Sequence, residues 1–265
     1  MREPVDRRVL GAFRCVDKVT GKSIMEALLV AAPQLSVRPN RSGIYVIFGA
    51  PGLSALTNQF DPTPPGPAAS SFEISIQDPN RRYLPRRAKV IAPQNLPPAG
   101  DPSQPFDPAK VLSDPLVVFN SQAVSLYPSP AALVLPNWAV IHISVIRSGA
   151  VPPKGLPWSV VQVARTDNNN VLATTVTDAR GEGLLAIPGL GPEVSGSDTG
   201  AVTNASVAVT ITAWFDPGIG EPAPGWIPNP DDILNNLASA SLKTGTLTTQ
   251  IGPGQTLNRS LAISV

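Results

Sequence analysis

Along this 265-residue chain the apolar positions alternate with polar ones far more often than they recur at helical spacing, and the alternating runs are short. Phe13–Val16, Glu26–Val30, Gly43–Phe48 and Phe72–Ile76 read as strands in the first third. In Phe72-Glu-Ile-Ser-Ile76 every second residue is apolar, the period of a strand with one buried face. Arg82–Val90 reads as an edge or bulged strand, because Pro85 withholds a ladder N–H. The pattern resumes with Leu116–Phe119, Ala123–Tyr127, Trp138–Ile146, Val160–Arg165, Val171–Thr177, Gly183–Ile187 and Ser206–Phe215. Trp138–Ile146 is the strongest: Ala139, Ile141, Ile143 and Val145 make one uniformly apolar face. Asp167-Asn-Asn-Asn170 signals a tight turn, so the strands on either side of it read as a hairpin. Thr244–Gln250 and Thr256–Val265, joined through Ile-Gly-Pro-Gly, read as a closing hairpin. One short helix is expected near 230–240. Asn229 is its cap, Pro230 its first residue, and Asp231 and Asp232 lie in its first turn. Ile233, Leu234 and Leu237 give it an apolar face, and it ends near Ser241.

Composition agrees with the pattern. The chain has 31 prolines, over twice the usual share of roughly 5%. Proline costs about 3 kcal/mol inside a helix and breaks a central strand's ladder, so these residues belong to turns, edges and spacers between short strands. The expected fold class is all-β, as two small antiparallel β-sandwiches in tandem. Residues 1–92 form the first; 93–115 form a stiff linker, with six prolines between Pro93 and Pro108; 116–265 form the second. Net charge is +1, but the first 95 residues hold 13 Lys/Arg against 7 Asp/Glu and the rest hold 7 against 12. A basic first domain and an acidic second suit stacking or docking on other proteins, and nothing calls for a nucleic-acid partner. The single cysteine, Cys15, rules out an intrachain disulfide and a cysteine-based metal site. The first residues lack the apolar core of a secretory signal and no apolar run approaches 18 residues. The expectation is a cytoplasmic protein without membrane insertion, or one held within an assembled particle or virion.

Two segments carry a family resemblance. Thr174-Thr-Val-Thr-Asp178-Ala-Arg-Gly181, continuing to Ile187-Pro-Gly-Leu190, is similar to the T-x-T-D-x-x-G hairpin of carboxypeptidase regulatory-like, or transthyretin-like, β-sandwiches. Ile251-Gly-Pro-Gly-Gln-Thr256 resembles that family's final strand. Asp17–Gly21 with Ile24 and Leu28–Val30 resembles its opening strand pair, with Ser23 where proline is usual. Independently of the family, Asp178 suits capping its own turn and Gly181 suits a positive φ. The resemblance implies transthyretin/Ig-like sandwiches and an accessory structural role, as in contractile injection systems and phage tails. It implies a fold and no chemistry.

Catalysis finds little to work with. The only histidine, His142, sits mid-strand on the face opposite the apolar row, and no GxSxG, Walker or GxGxxG motif occurs. Asp167, Asp178, Glu182, Asp198, Asp216, Asp231 and Asp232 lack the spacing of a calcium loop and read as solvated loop acids. Trp138, Trp158, Trp214 and Trp226 read as core or rim residues. The expectation is therefore no enzyme, no cofactor and no metal. The sharpest local feature is Arg81, Arg82, Tyr83, Arg86, Arg87 and Lys89, a basic segment that reads as a charge-defended edge strand, as a docking patch for an acidic protein surface or, least favoured, as a contact for nucleic-acid phosphate. On that reading, reversing Arg86 and Arg87 to Glu leaves folding intact and abolishes assembly. The proline-rich stretches 51–71, 93–115 and 217–230 read as contact arms, with Phe60, Phe106 and Trp226 as anchors. The expected function is a non-enzymatic subunit of a large particle, binding other subunits and itself. The alternative is a carbohydrate- or ligand-binding sandwich module.

Overall fold

A computed structural model describes residues 9–54, 69–94, 120–190, 206–219 and 225–265, and their regular structure is almost wholly β. They group into two compact units that interleave along the chain. The first comprises Met1–Val16, Lys22–Ile76 and Arg87–Ser125; the second comprises Asp17–Gly21, Gln77–Arg86 and Leu126–Val265. The sequence reading placed one division at 93–115, most of which lies outside the described residues.

The first unit is built on seven strands: β1 (Gly11–Asp17), β2 (Leu29–Ala31), β3 (Ser36–Pro39), β4 (Ile44–Gly49), β5 (Ser70–Gln77), β6 (Arg86–Ala92) and β7 (Gln122–Leu126). They form a four-stranded sheet in the order β3-β4-β1-β7 and a three-stranded sheet in the order β2-β5-β6. Period-two burial puts Phe13 and Cys15, Tyr45 and Ile47, Phe72, Ile74 and Ile76, and Ala88, Val90 and Ala92 inside. The Phe13 and Tyr45 rings stack at 5.0 Å. Side-chain amides extend the ladders. The Gln94 carbonyl accepts from the Ala12 N–H at 2.7 Å, and the Gln122 amide bonds both the N–H and the C=O of Ile91. Two departures stand out. The Ala123–Tyr127 strand, expected in the second domain after Leu116–Phe119 (which lies outside the described residues), adds to β1 as β7. Strand β3 has no alternating signal because it is a four-residue edge that tolerates Pro39 and a register shift at Ser36–Val37.

The second unit is a β-sandwich of seven strands: β8 (Ala139–Arg147), β9 (Val160–Arg165), β10 (Val171–Val176), β11 (Glu182–Ile187), β12 (Val207–Phe215), β13 (Lys243–Ile251) and β14 (Thr256–Ile263). One sheet runs β10-β9-β12-β13 and the other β11-β8-β14. Their facing rows make the core: Ala139, Ile141, Ile143 and Val145 of β8 pack with Val209, Ile211 and Ala213 of β12, Val161 and Val163 of β9, and Leu261 and Ile263 of β14. Each fully buried Val or Ile contributes about 1.5–3 kcal/mol. The β9–β10 hairpin forms as expected, closed by the Arg165 N–H to the Asn170 carbonyl at 2.9 Å, with Asn169 at φ 57°.

Two expectations are corrected. Strands β13 and β14 are not a hairpin. Strand β13 pairs β12 antiparallel in one sheet, while β14 crosses to the other and pairs β8 in parallel. Alternation is the same in a hairpin and in such a crossing, so the pattern cannot distinguish them. Glycine at 245 permits the crossing, since a Cβ there would stand 2.6 Å from a Leu261 methyl and 2.8 Å from the Ala262 carbonyl. The helix, α1, spans only Pro230–Leu234. Its start is as read, with the Asn229 side chain accepting from the Asp231 N–H. It stops at Asn235-Asn236, where the Asn236 amide bonds the Asp232 carbonyl and competes with further turns. No helix among the described residues is long and apolar enough to cross a membrane.

Candidate docking site

The basic segment forms a turn before it forms a strand. The Asp78 carboxylate is buried and organises that turn: one oxygen accepts from the Asn80 N–H at 2.9 Å, the other from the Arg82 N–H at 2.9 Å and the Arg82 Nε at 3.2 Å. Burial opposes ionisation, but the two amides and the guanidinium outweigh it and hold the carboxyl below the usual Asp range. Arg81, at the turn's apex, takes φ 55° and is exposed. Tyr83 donates its hydroxyl to Asp17 Oδ2 at 2.7 Å, and the other Asp17 oxygen accepts from the Val19 and Thr20 N–H groups. The Arg82 guanidinium lies 5.8 Å from the Tyr83 ring centre.

A second loop lies against this turn. The Leu84 N–H bonds the Tyr127 carbonyl and the Ser129 N–H bonds the Arg82 carbonyl, both at 2.8 Å. Beyond Ser129 the chain makes two tight turns, 129–132 and 135–138, and presents Leu133 fully exposed and Leu135 56% exposed. Between the loops lies a depression of about 460 Å³, walled by Arg81, Arg82, Tyr83, Leu133, Val134 and Trp138 and floored by Ala186 of β11. Sequence reasoning singled out its basic wall and missed its apolar one. The available signal is Ala131–Leu135, five apolar residues without alternation between Pro130 and Pro136.

The remaining members of the expected patch lie elsewhere. Arg86 is 2% exposed, its guanidinium bonded to Asp231 Oδ2 of α1 and 5.8 Å from the Tyr127 ring centre. Arg86 is a core residue, so the expectation that reversing it leaves folding intact is corrected. Burial in the same place pushes the Tyr127 phenol up to about 12, the Arg86 charge opposing the shift and Asp231 adding to it. Arg87 and Lys89 belong to the first unit and alternate outward on β6, Arg87 meeting Glu73 Oε1 at 3.2 Å.

Asp178 and Gly181 together make the turn between β10 and β11. Asp178 Oδ1 accepts from the Arg180 and Glu182 N–H groups at 2.8 and 3.0 Å, and Gly181 has φ +82°. The other acids are dispersed. Asp167 pairs with Arg165 at 3.0 Å, Asp216 accepts from the Gly218 N–H, and Asp198 lies outside the described residues. Among the described residues no group of three or more His, Cys, Asp or Glu is placed to hold a metal ion. His142 is half-buried on β8, between Leu184 of β11 and Asn258 of β14 in the ladder. Of the expected arms, Phe60 and Phe106 lie outside the described residues, while Trp226 packs at 6.3 Å from Trp158, within the second unit.

No family model matches the chain, and no curated protein matches it. Among solved structures, the Bacillus anthracis TIE protein is similar at 8% identity with a TM-score of 0.27, over 97% of this chain and 34% of that one. The chain thus spans about a third of that protein's length, and a likeness at this level settles neither fold nor function.

Proposed function

We propose that the chain is a non-enzymatic structural subunit of a large protein assembly, of the kind formed by phage tails and contractile injection systems, and that it meets a neighbouring subunit through the depression between the two loops. One observation carries this reading: Leu133, fully exposed, lines the same depression as the exposed Arg81. Burying Leu133 alone against a partner is worth about 1.5–3 kcal/mol, and an arginine beside it selects an acidic neighbour through bidentate carboxylate contacts. The occupant is accordingly a protein surface with a carboxylate flanking an apolar knob. The resemblance to carboxypeptidase regulatory-like modules supports a scaffold role in the same direction.

The test is co-purification of the tagged chain with the products of the reading frames beside its own. The wild type retains a particle component, and Leu133→Asp with Arg81→Glu loses it at least tenfold while the urea midpoint holds. Equal recovery by the double variant overturns the docking reading. A ligand-binding module is the second reading, favoured by the depression's size, which falls within the roughly 300–1,000 Å³ of small-molecule sites, and by Trp138 in its wall. Saturable binding on a glycan array by the monomer, lost in Trp138→Ala, replaces the first reading with the second.

A further inference from the structure

We infer that strand β13 is a self-association edge, on which a second copy of this chain adds its own β13 antiparallel about a two-fold axis. Strand β13 is the last strand of its sheet. It pairs β12 in unbroken register from Phe215↔Lys243 to Val207↔Ile251, and among the described residues the backbone of 244–250 bonds to nothing except β12. Its nine residues present a straight edge of about 30 Å of alternately free N–H and C=O groups. Proteins blunt such edges with charge, proline or a bulge. The neighbouring edges of this sandwich do so: β10 shifts register between Val171 and Ala173, and β14 carries Arg259, whose guanidinium is bonded to Thr249 Oγ1 at 3.0 and 3.2 Å. Strand β13 has no proline and a single charge of its own, Lys243, at its first residue; the Arg259 guanidinium reaches it at Thr249, on its half-buried row.

The sequence of the edge selects a second copy as occupant. With the two-fold at Leu247, Thr246 faces Thr248 of the second copy, Thr244 faces Gln250, and Lys243 faces Ile251. No like charges oppose, and the outward row meets its own kind. That row already runs through the sheet, since Thr246 pairs Thr212 and Thr248 pairs Thr210 across β12. A second copy continues it with further Thr–Thr pairs, which stabilise antiparallel ladders. A strand of other composition gains the backbone bonds but not this match. An interface this narrow falls below the roughly 1,200 Å² of stable complexes, so the expected Kd is on the order of 10–100 μM. This edge is separate from the depression at Leu133 and stands whether or not the docking reading holds.

Sedimentation velocity of the full chain at 150 mM salt, across a concentration series, tests it. The wild type passes from monomer to dimer in that range. Thr246→Lys with Thr248→Lys weakens dimerisation at least tenfold, and Thr246→Glu with Thr248→Glu does the same. An equimolar mixture of the two double variants recovers a dimer, because every Lys then faces a Glu. For register, Thr246→Cys mixed with Thr248→Cys forms a disulfide-linked pair under mild oxidation faster than either variant alone. Circular dichroism confirms that each variant keeps its strands. A wild type that stays monomeric at about 1 mM, double variants that dimerise unchanged, or a mixture without recovery each overturn the inference.

Discussion

Replacing Arg86 by Glu separates a surface role from a core role for the basic segment. The guanidinium is 2% exposed and touches an aromatic ring and the Asp231 carboxylate, itself 44% exposed. Reversal removes a charge-assisted bond and sets a buried carboxylate facing another acid. Breaking a buried pair in this way costs about 3–5 kcal/mol. Arg86→Met behaves differently, because the methionine stem keeps the contact with Tyr127 and Asp231 is exposed enough to rehydrate; its expected cost is about 1–2 kcal/mol. Arg87→Glu breaks only the surface pair with Glu73 and costs less than about 1 kcal/mol. At an m-value of about 2 kcal/mol/M the Arg86→Glu loss moves the urea midpoint down by about 1.5–2.5 M. Fluorescence is the right probe, since all four tryptophans, like Arg86, belong to the second unit. A midpoint for Arg86→Glu within 0.5 M of wild type refutes the burial argument (about 1 kcal/mol at that slope). A larger loss for Arg87→Glu than for Arg86→Glu refutes it as well.

Three further outcomes are expected. Tyr127 ionises near pH 12 when folded and near 10 when unfolded, so above pH 10 the unfolded chain loses its proton first; the stabilisation is complete below pH 10 and falls by about 1.4 kcal/mol per pH unit to about pH 12. Urea midpoints at pH 9 and 11 show the drop in wild type and a smaller one in Tyr127→Phe. Gly181→Ala costs more than about 3 kcal/mol, because its Cβ meets the Val145 carbonyl at 2.6 Å as well as adopting φ +82°. Gly189→Ala, with φ +69° and nothing within 4 Å, costs only about 1–2 kcal/mol, and thermal melts of the two variants measure the difference. The Cys15 thiol, fully buried in the first unit, stays unreactive to Ellman's reagent until that unit unfolds, and reaction in native buffer within minutes contradicts its burial.

What the residues reveal in advance depends on how local the physics is. The apolar row of β8, the cap of α1 and the Asp78 turn are decided within a few residues of themselves. The first two are readable from spacing and cap chemistry. The third is not, because the amides that bind the Asp78 carboxylate come from a backbone path through Arg81 at φ 55° that no side-chain pattern encodes. Pairing is not local. Strand β7 carries an ordinary alternating pattern and nothing in it names β1 as its neighbour; the ladder with β1 places it, and the bonds of Gln94 and Gln122 to residues on either side of the undescribed stretch support that place.

Arginine shows the limit most clearly. Arg81, Arg86 and Arg87 are chemically identical in the sequence, yet one is exposed at a turn, one is buried against Tyr127 and one faces Glu73 on a strand. Burying a guanidinium requires a partner that also satisfies its charge, and for Arg86 that partner is supplied 145 residues later by the first turn of α1. The cap at Asn229 is therefore tied to the basic segment, since it places Asp231 where Arg86 needs it. A basic run is consequently weak grounds for a docking patch until the acids of distant loops are placed. In this chain Asp231 holds Arg86 away from the surface, while Arg81 stays exposed at its turn and lines the same depression as Leu133.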